Sequence, residues 1–318
     1  MNTIKNKALL IAPAVLLFAL SLTSCKKDDN ANSGSASTAI KITDAPSDDV
    51  NVSGAYVTIA EVKVDGQTVQ GFTKTTVDLA AYRNGSTKTI GTFNLEGKTY
   101  SSITFVLDFD ADANGIAPGC YVLTAGNVKH KLQTSSNVIT VTKNYTLQSN
   151  ASNSIVADFD LRKMIVAQTG NPADQYDFAT SAELQNDVRL VVETNSGTIS
   201  GTLTDNVTAS GKVVAYAYKK GTYNRATEMQ GQGASSVQFK NAVSSTLVGT
   251  GGSYQLHFLE AADYEIHYVS YKDTNGDGKF ELQGTLVVLT GGGLDILNLH
   301  VNVNTTLTMN ATATAVLP

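Results

Sequence analysis

From Ile40 onward, apolar and polar residues alternate with a period of two, and this alternation most constrains the fold. It is clearest near the C-terminus, where Leu297, Leu299, Val301 and Val303 are separated by polar residues, and it continues through Leu307, Met309, Ala311 and Ala313. Successive residues of a β-strand point to opposite faces, so this spacing predicts strands with one apolar face. Gly, Asn and Asp interrupt the apolar runs, as they do in turns between strands.

The same criteria predict strands throughout the chain. In the first part they fall at Ala55–Val64, Ser102–Phe109, Val138–Leu147, Ile155–Phe159 and Val188–Glu193, with one short helix at Leu161–Ala167. In the second part they read TISGTLT, KVVAYAY, SYQLHF, YEIHYVSY and TLVVLT. The chain is therefore predicted to be all-β, with two β-sandwich-like domains; a sandwich beside a barrel-like sheet is the alternative.

The N-terminus has the parts of an export signal. Lys5 and Lys7 precede an apolar run from Ala8 to Leu22, and small residues follow it. The run is shorter than the ~20 residues that a membrane-spanning helix needs, so residues 1–24 are predicted to be a cleaved signal peptide. An uncleaved membrane anchor is the alternative.

The segment LTSC, which ends at Cys25, resembles a bacterial lipoprotein signal. The resemblance implies that Cys25 is acylated, for example with palmitate, and that membrane lipid is its partner. The residues that follow, Lys26, Lys27, Asp28 and Asp29, resemble the surface-export tag of Bacteroidetes-type lipoproteins. That implies a lipid-anchored position on the outer membrane facing the exterior; an ordinary solvated charge run is the other interpretation.

Composition limits the partners of the mature chain. Residues 25–38 are rich in Ser, Asn and Gly and are predicted to be a flexible tether. Without the signal the chain has 21 basic and 28 acidic residues, which argues against nucleic acid as a partner. Cys120 is then the one cysteine without an assigned role, and it is predicted to be a buried small apolar residue.

Two family resemblances divide the remainder. Residues 39–195 resemble the DUF4382 family, which is common in bacterial envelope lipoproteins. The resemblance rests mainly on the TDAP motif at 43–46 and the DFD motif at 158–160. Residues 196–318, with GTISGTLT and GSYQLHFLEAADYEIHYVSYKDTNGDG, resemble carboxypeptidase-regulatory or transthyretin-like β-sandwiches. The second resemblance implies an accessory module rather than a catalyst.

A calcium site is the sharpest candidate for chemistry. In DTNGDGKFE, Asp273, Asn275 and Asp277 stand at alternate positions before a glycine, and Glu281 could be a late ligand. The helix-loop-helix form is excluded because its twelfth position is Gly284. The alternative is a hairpin turn in which Asp and Asn are favoured by turn geometry alone. No cofactor is certain, and calcium is the one indicated.

Other clusters allow weaker hypotheses. Asp108, Asp110 and Asp112 could hold a metal or the two carboxylates of a glycosidase, although acids solvated in the turn after the strand are the favoured interpretation. The Asp158 and Asp160 pair is interpreted as structural. His257 and His267, in consecutive predicted strands, could meet across a hairpin, or they are two solvated surface residues. Around AYAYKKGTYNR, a binding surface is hypothesised from Tyr216, Tyr218 and Tyr223.

These patterns favour a non-catalytic binding or scaffolding module with a glycan or an outer-membrane protein as partner. No catalytic residue is predicted, because the sequence lacks a nucleophile elbow, a phosphate loop and a paired-cysteine metal motif. Two alternatives stay open. One is a carbohydrate-active or metal-dependent hydrolase that uses an acidic cluster, and the other is a structural subunit of an outer-membrane complex.

Overall fold

A computed structural model describes residues 34–45, 52–167, 176–208, 211–276, 280–291 and 294–318. The predicted signal peptide, Cys25, the charged run Lys26–Asp29, Pro46 and Asp277 lie outside the described residues. We call residues 34–195 the N-terminal half and residues 196–318 the C-terminal half. Both belong to one compact unit, Ser33–Pro318. No helix in the described part of the chain has the length and apolar character needed to cross a membrane.

The N-terminal half is built almost entirely of strands. They are β1 (Ser35–Ala45), β2 (Gly54–Val64), β3 (Gln67–Thr68), β4 (Thr75–Asp78), β5 (Lys88–Glu96), β6 (Thr99–Leu107), β7 (Tyr121–Thr124), β8 (Val128–Lys131), β9 (Val138–Thr146), β10 (Ser152–Asp160), β11 (Ile165–Ala167), β12 (Tyr176–Phe178) and β13 (Val188–Val192). The helices are α1 (Leu161–Met164) and α2 (Ser181–Asp187), with 3-10 turns at Leu79–Ala81, Ala125–Asn127 and Glu193–Asn195.

Two sheets of this half pack face to face. One has the order β13-β10-β1-β5, with β1 and β10 parallel, and the other has the order β8-β7-β2-β6-β9, with β3 and β4 paired to β2. Their inner faces form one apolar core, in which Phe105 of β6 meets Phe159 of β10 edge to face at 5.4 Å. The core includes Cys120, which is 0% exposed. Burial raises the pKa of its thiol to about 12, so the prediction of a small buried residue is confirmed.

The C-terminal half is also mainly β. Its elements are β14 (Ser196–Asp205), β15 (Lys212–Lys219), α3 (Arg225–Glu228), β16 (Ser244–Leu247), β17 (Ser253–Glu260), β18 (Ala262–Lys272), β19 (Glu281–Thr290), β20 (Leu299–Val301), β21 (Thr306–Thr308) and β22 (Ala311–Leu317).

One sheet of this half folds around its own core. The order is β16-β15-β18-β19-β22-β14-β17, with β20 paired to β18 and β21 paired to β14. Tyr254 of β17 and Tyr268 of β18 are not on neighbouring strands, yet their hydroxyls lie 2.8 Å apart inside the core. Both tyrosines are buried, since they are 3% and 1% exposed.

The all-β fold class is confirmed, and the predicted strands agree with the structure to within a few residues. The predicted helix at Leu161–Ala167 is shorter, because α1 ends at Met164 and the chain continues as strand β11. The C-terminal alternation holds for Leu299 and Val301, which are buried. It fails at Leu297 and Val303, which are 47% and 45% exposed because they lie outside the sheet.

Candidate functional site

The segment from Asp158 to Lys163 joins the two halves. Here β10 runs into α1, and the strand period turns Phe159 toward the core while Asp158 and Asp160 face the other way. Asp160 pairs with Arg162 at 3.0 Å and with Lys163 at 3.2 Å. Burial opposes the ionisation of Asp160, but these two cations hold its pKa below the usual value. The sequence interpretation of the acidic pair as structural agrees with these contacts.

The cations of this segment reach main-chain carbonyl oxygens of the C-terminal half. Arg162 donates to the carbonyl of Gln238 at 2.6 Å, and the Nζ of Lys163 donates to that of Ala242 at 2.8 Å. The neighbouring strand β13 contributes a third such contact, in which Arg189 bonds the carbonyl of Phe258.

The third contact joins the side chain of Arg189, on β13, to the backbone of Phe258, on β17. Arg189 also pairs with Asp158 at 2.6 Å, which fixes the guanidinium. Phe258 adopts a left-handed backbone conformation (φ 55), which is energetically unfavourable for a bulky residue. Its carbonyl oxygen accepts a hydrogen bond from Arg189. The contact therefore joins a fixed guanidinium to an unusual backbone conformation.

Ion pairs at the edge of the junction reinforce it. Lys143 of β9 pairs with Glu260 of β17 at 2.7 Å, and Glu183 of α2 pairs with Lys240 at 2.8 Å. Glu183 also accepts hydrogen bonds from Thr180 and Ser235. Burial alone would favour the protonated acid, but these partners lower the pKa of Glu183 to about 2. The carboxylate is therefore ionised at neutral pH.

Between the halves lies a cavity of about 600 Å³, which we call the interface cleft. It is lined by parts of β9, β10, α2 and β13 and by the stretch before and into β16, in full Val141–Lys143, Asp158, Asp160, Lys163, Gln185–Leu190 and Lys240–Ser244. Asp187, at the end of α2, is 3% exposed, and its Oδ2 is buried without a hydrogen bond from any described residue. Burial raises the pKa of this carboxyl to about 7, and Lys163 only partly opposes the effect.

A second, smaller cavity of about 20 Å³ also lies between the halves. Asp44, from the TDAP motif, and Ser245 line it, and both are 5% exposed with a buried oxygen that no described residue bonds. The other carboxylate oxygen of Asp44 accepts from the amide of Leu161 at 3.1 Å. Burial raises the pKa of Asp44 well above its usual value. A cavity of this size has room for about one water molecule.

The predicted acidic series at 108–112 lies in the loop after β6, where it shapes the loop backbone. Asp108 pairs with Lys74 at 2.7 Å and accepts from the amides of Asp110 and Ala111. Mainly because of Lys74, the pKa of Asp108 is lowered to about 2. Asp112 is 8% exposed and accepts from two amides of the same loop. Of the three acids, Asp110 alone fits the interpretation of an acid that is solvated in a turn.

The predicted calcium ligands are described only in part. Asp273 accepts from the amide of Gly276, and Glu281 accepts from the amide and hydroxyl of Thr274 at 2.8 and 2.9 Å. Asp277 is outside the described residues, and the described residues contain no group of three metal-binding acids, histidines or cysteines. The calcium site stays a prediction.

The hypothesised tyrosine surface is wrong for two of its three members. Tyr216 and Tyr218 are both 0% exposed, because the segment that follows α3 covers this face of β15 and stacks Phe239 on Tyr216 at 4.7 Å. Tyr223 is partly exposed and stacks on His267 at 3.6 Å. The hypothesised meeting of His267 and His257 is also wrong, because β17 pairs with β14 and not with β18.

Helix α2 was not predicted, although the sequence carries a signal for it. Thr180 and Glu183 form a capping box, the Thr-x-x-Glu pattern of a helix start. The helix positions Asp187 in the cleft. No local signal marks Asp187 itself, which lines the cleft together with the distant residues 240–244.

Comparison with known proteins gives a family for part of the chain. Residues 35–179 match the family described as "Domain of unknown function (DUF4382)", which confirms most of the predicted range. No curated protein matches the chain.

Solved structures give distant similarities. The chain is similar to the Bacillus anthracis TIE protein, with 11% identity, a TM-score of 0.20, and coverage of 88% of this chain and 34% of that one. It is similar to BcpA, the major pilin subunit of Bacillus cereus (11%, 0.21, 88% and 70%), and to the fimbrial anchor protein Mfa2 from Porphyromonas gingivalis (10%, 0.20, 77% and 80%). The chain thus spans about a third of the length of the TIE protein.

Proposed function

We propose that this chain is a lipid-anchored, non-catalytic module of a bacterial cell envelope that binds or scaffolds partners at the outer membrane, facing the exterior. The anchor is the acylated Cys25, and the residues between it and strand β1 tether the β-structure to the lipid. The tether is shorter than the predicted 25–38, because Ser35–Thr38 belong to β1, where Ala36 and Thr38 are 0% exposed. Several acyl chains hold a protein stably at a membrane where one would not, since each buried methylene contributes about 0.8 kcal/mol. The C-terminal half would act as the accessory module that its carboxypeptidase-regulatory resemblance implies.

The observation that supports the non-catalytic part of the proposal is that three buried or partly buried aspartates are paired with cations. A hydrolase could use Asp108, Asp158 or Asp160 as a catalytic carboxylate. Each of them is instead paired with a cation at 3.0 Å or less. A general acid needs a pKa near the working pH, whereas Asp108 has one of about 2. For these three acids the contacts favour a role in a rigid scaffold over a role as a catalytic pair.

Fractionation of cells that express Cys25→Ala tests the anchor. We expect the variant to leave the membrane fraction, while Cys120→Ala, the matched control, stays there. Replacing Lys26–Asp29 by alanines should keep membrane association but remove accessibility to protease added to whole cells. Retention of Cys25→Ala in the membrane would contradict lipidation.

A turnover assay on envelope and plant glycans tests the hydrolase alternative. We expect no turnover by the purified chain. Turnover that is lost in Asp108→Ala and Asp110→Ala would instead establish an enzyme.

The structural-subunit alternative is favoured by one apolar surface. Val287 and Leu289 of β19 are 39% and 66% exposed, and they stand opposite Ala315 and Thr312 of β22. Exposed apolar residues on one face of a sheet are suited to contact with another protein. Recovery of a fixed outer-membrane partner by the wild type, and its loss in Leu289→Ser, would favour this alternative.

A further inference from the structure

The outer face of the C-terminal sheet carries a groove of about 630 Å³, which we call the neutral groove. It lies over parts of β14, β17 and β21, and Asn84 of the N-terminal half and Leu247 of β16 also line it. Its volume falls within the ~300–1,000 Å³ of typical ligand pockets. The neutral groove and the interface cleft share no described lining residue, so they are separate sites.

Three neighbouring strands place six polar side chains of the groove in a regular grid. The six are Ser200 and Thr202 of β14, Ser253 and Gln255 of β17, and Thr308 and Asn310 at the end of β21. Ser200 is paired with Gln255 on one side and with Thr308 on the other. Every second residue of a strand faces the same way, so Thr202 extends the grid along β14, opposite Ser253. From the usual strand spacings, the grid measures roughly 10 Å by 7 Å.

The lining of the neutral groove favours an uncharged ligand. None of the described residues that line it is an acid or a base, whereas acids and cations line the interface cleft. His257 bonds the Oε1 of Gln255 at 2.8 Å, and burial lowers the pKa of this imidazole, so it is mostly neutral at pH 7. A charged ligand would lose part of its hydration here without gaining an ion pair, which is unfavourable.

The polar groups of the grid are available to a ligand. The hydroxyls of Ser200, Thr202, Ser253 and Thr308 make no hydrogen bond with any other described residue. Each hydroxyl can both donate and accept, and the side-chain amides of the grid add N–H donors. Leu247, which is 38% exposed, adds an apolar surface to the same groove. This lining suits a ligand with many hydroxyl groups and some apolar C–H surface.

We propose that the neutral groove binds an uncharged oligosaccharide, whose hydroxyl groups exchange hydrogen bonds with the side chains of the grid. Sugar hydroxyls both donate and accept, as the side chains of the grid do, and the C–H face of a sugar ring packs on Leu247. A protein partner is disfavoured at this place, because the central part of a protein interface is more apolar than this groove. The inference rests on the proposed binding function and names its ligand class.

Calorimetric titration of the purified chain with maltotriose, cellotriose, xylotriose and mannotriose, and with trigalacturonate as the charged counterpart, tests the proposal. We expect at least one neutral sugar to bind with a Kd of about 1 mM and trigalacturonate to bind at least about tenfold more weakly than that sugar. The double variant Ser200→Ala/Thr308→Ala removes two hydroxyls of the grid and should weaken binding of the neutral sugar by about tenfold. The matched control Thr92→Ala, at an exposed position of β5, should leave it unchanged.

The inference is overturned if none of these neutral sugars binds, or if trigalacturonate binds as tightly as they do. An unchanged affinity in the double variant would also overturn it, because the sugar would then bind elsewhere on the protein. If the double variant fails to fold, the comparison of neutral and charged sugars on the wild type still decides. Anchoring through Cys25 is measured separately in cells, so absent sugar binding alongside normal anchoring contradicts this inference alone.

Discussion

Phe105 and Phe159 meet in the N-terminal core through carbon atoms alone, whereas Tyr254 and Tyr268 meet in the C-terminal core through their hydroxyls. The C-terminal chain of contacts goes further, since Tyr254 donates to the carbonyl of Met309 at 2.6 Å. An apolar contact tolerates small shifts, but a buried hydroxyl must meet its partner in a narrow range of distance and angle. The halves share a fold class, yet of these two contacts the C-terminal one constrains the relative position of its strands more closely.

Truncation of the apolar pair should have the largest effect. Phe105 is 0% exposed, and Phe105→Ala should lower the free energy of unfolding by about 3–5 kcal/mol, because it removes apolar contacts and leaves a cavity. Urea unfolding measures the loss. Val128→Ala, at a site 51% exposed, is the control and should stay within about 0.5 kcal/mol of the wild type. A loss below about 1 kcal/mol for Phe105→Ala would mean that the core is not close-packed.

Removal of one hydroxyl from the tyrosine pair should have a smaller effect. Tyr268→Phe keeps the ring and loses the hydrogen bond to Tyr254, which should cost about 0.5–1.5 kcal/mol. A double-mutant cycle with Tyr254→Phe isolates the pair. Zero coupling energy between the two positions would remove the proposed difference between the cores.

Calcium, bound in the C-terminal half, should have an effect similar in size to the loss of one hydroxyl. If the 273–281 turn binds calcium, a concentration ten times the Kd stabilises the protein by about 1.4 kcal/mol, a rise in Tm of about 3–6 °C. Thermal unfolding with calcium and with magnesium measures it, and Asp277→Ala should abolish the rise. An unchanged Tm in millimolar calcium would favour the simple hairpin turn.

The sequence predicted the strands well because alternation reports on local geometry. The alternation could not show which outer faces of the strands are covered by other segments of the chain. KVVAYAY is a continuous apolar run, the pattern of a strand buried on both faces, and Tyr216 and Tyr218 are accordingly buried by a distant segment. The same limit hid the interface cleft, since Asp187 lies in a polar stretch of sequence and the distant residues 240–244 complete the cleft.

Arg162, Lys163 and Arg189 contact carbonyl oxygens, and this has a consequence for the evolution of the sequence. Each cation bonds the main chain of Gln238, Ala242 or Phe258, so the side chains at those three positions take no part in those bonds. The joint thus depends on the path of the opposing backbone rather than on its residue types. An insertion or deletion between residues 238 and 242 would therefore misplace the two carbonyls that Arg162 and Lys163 bond.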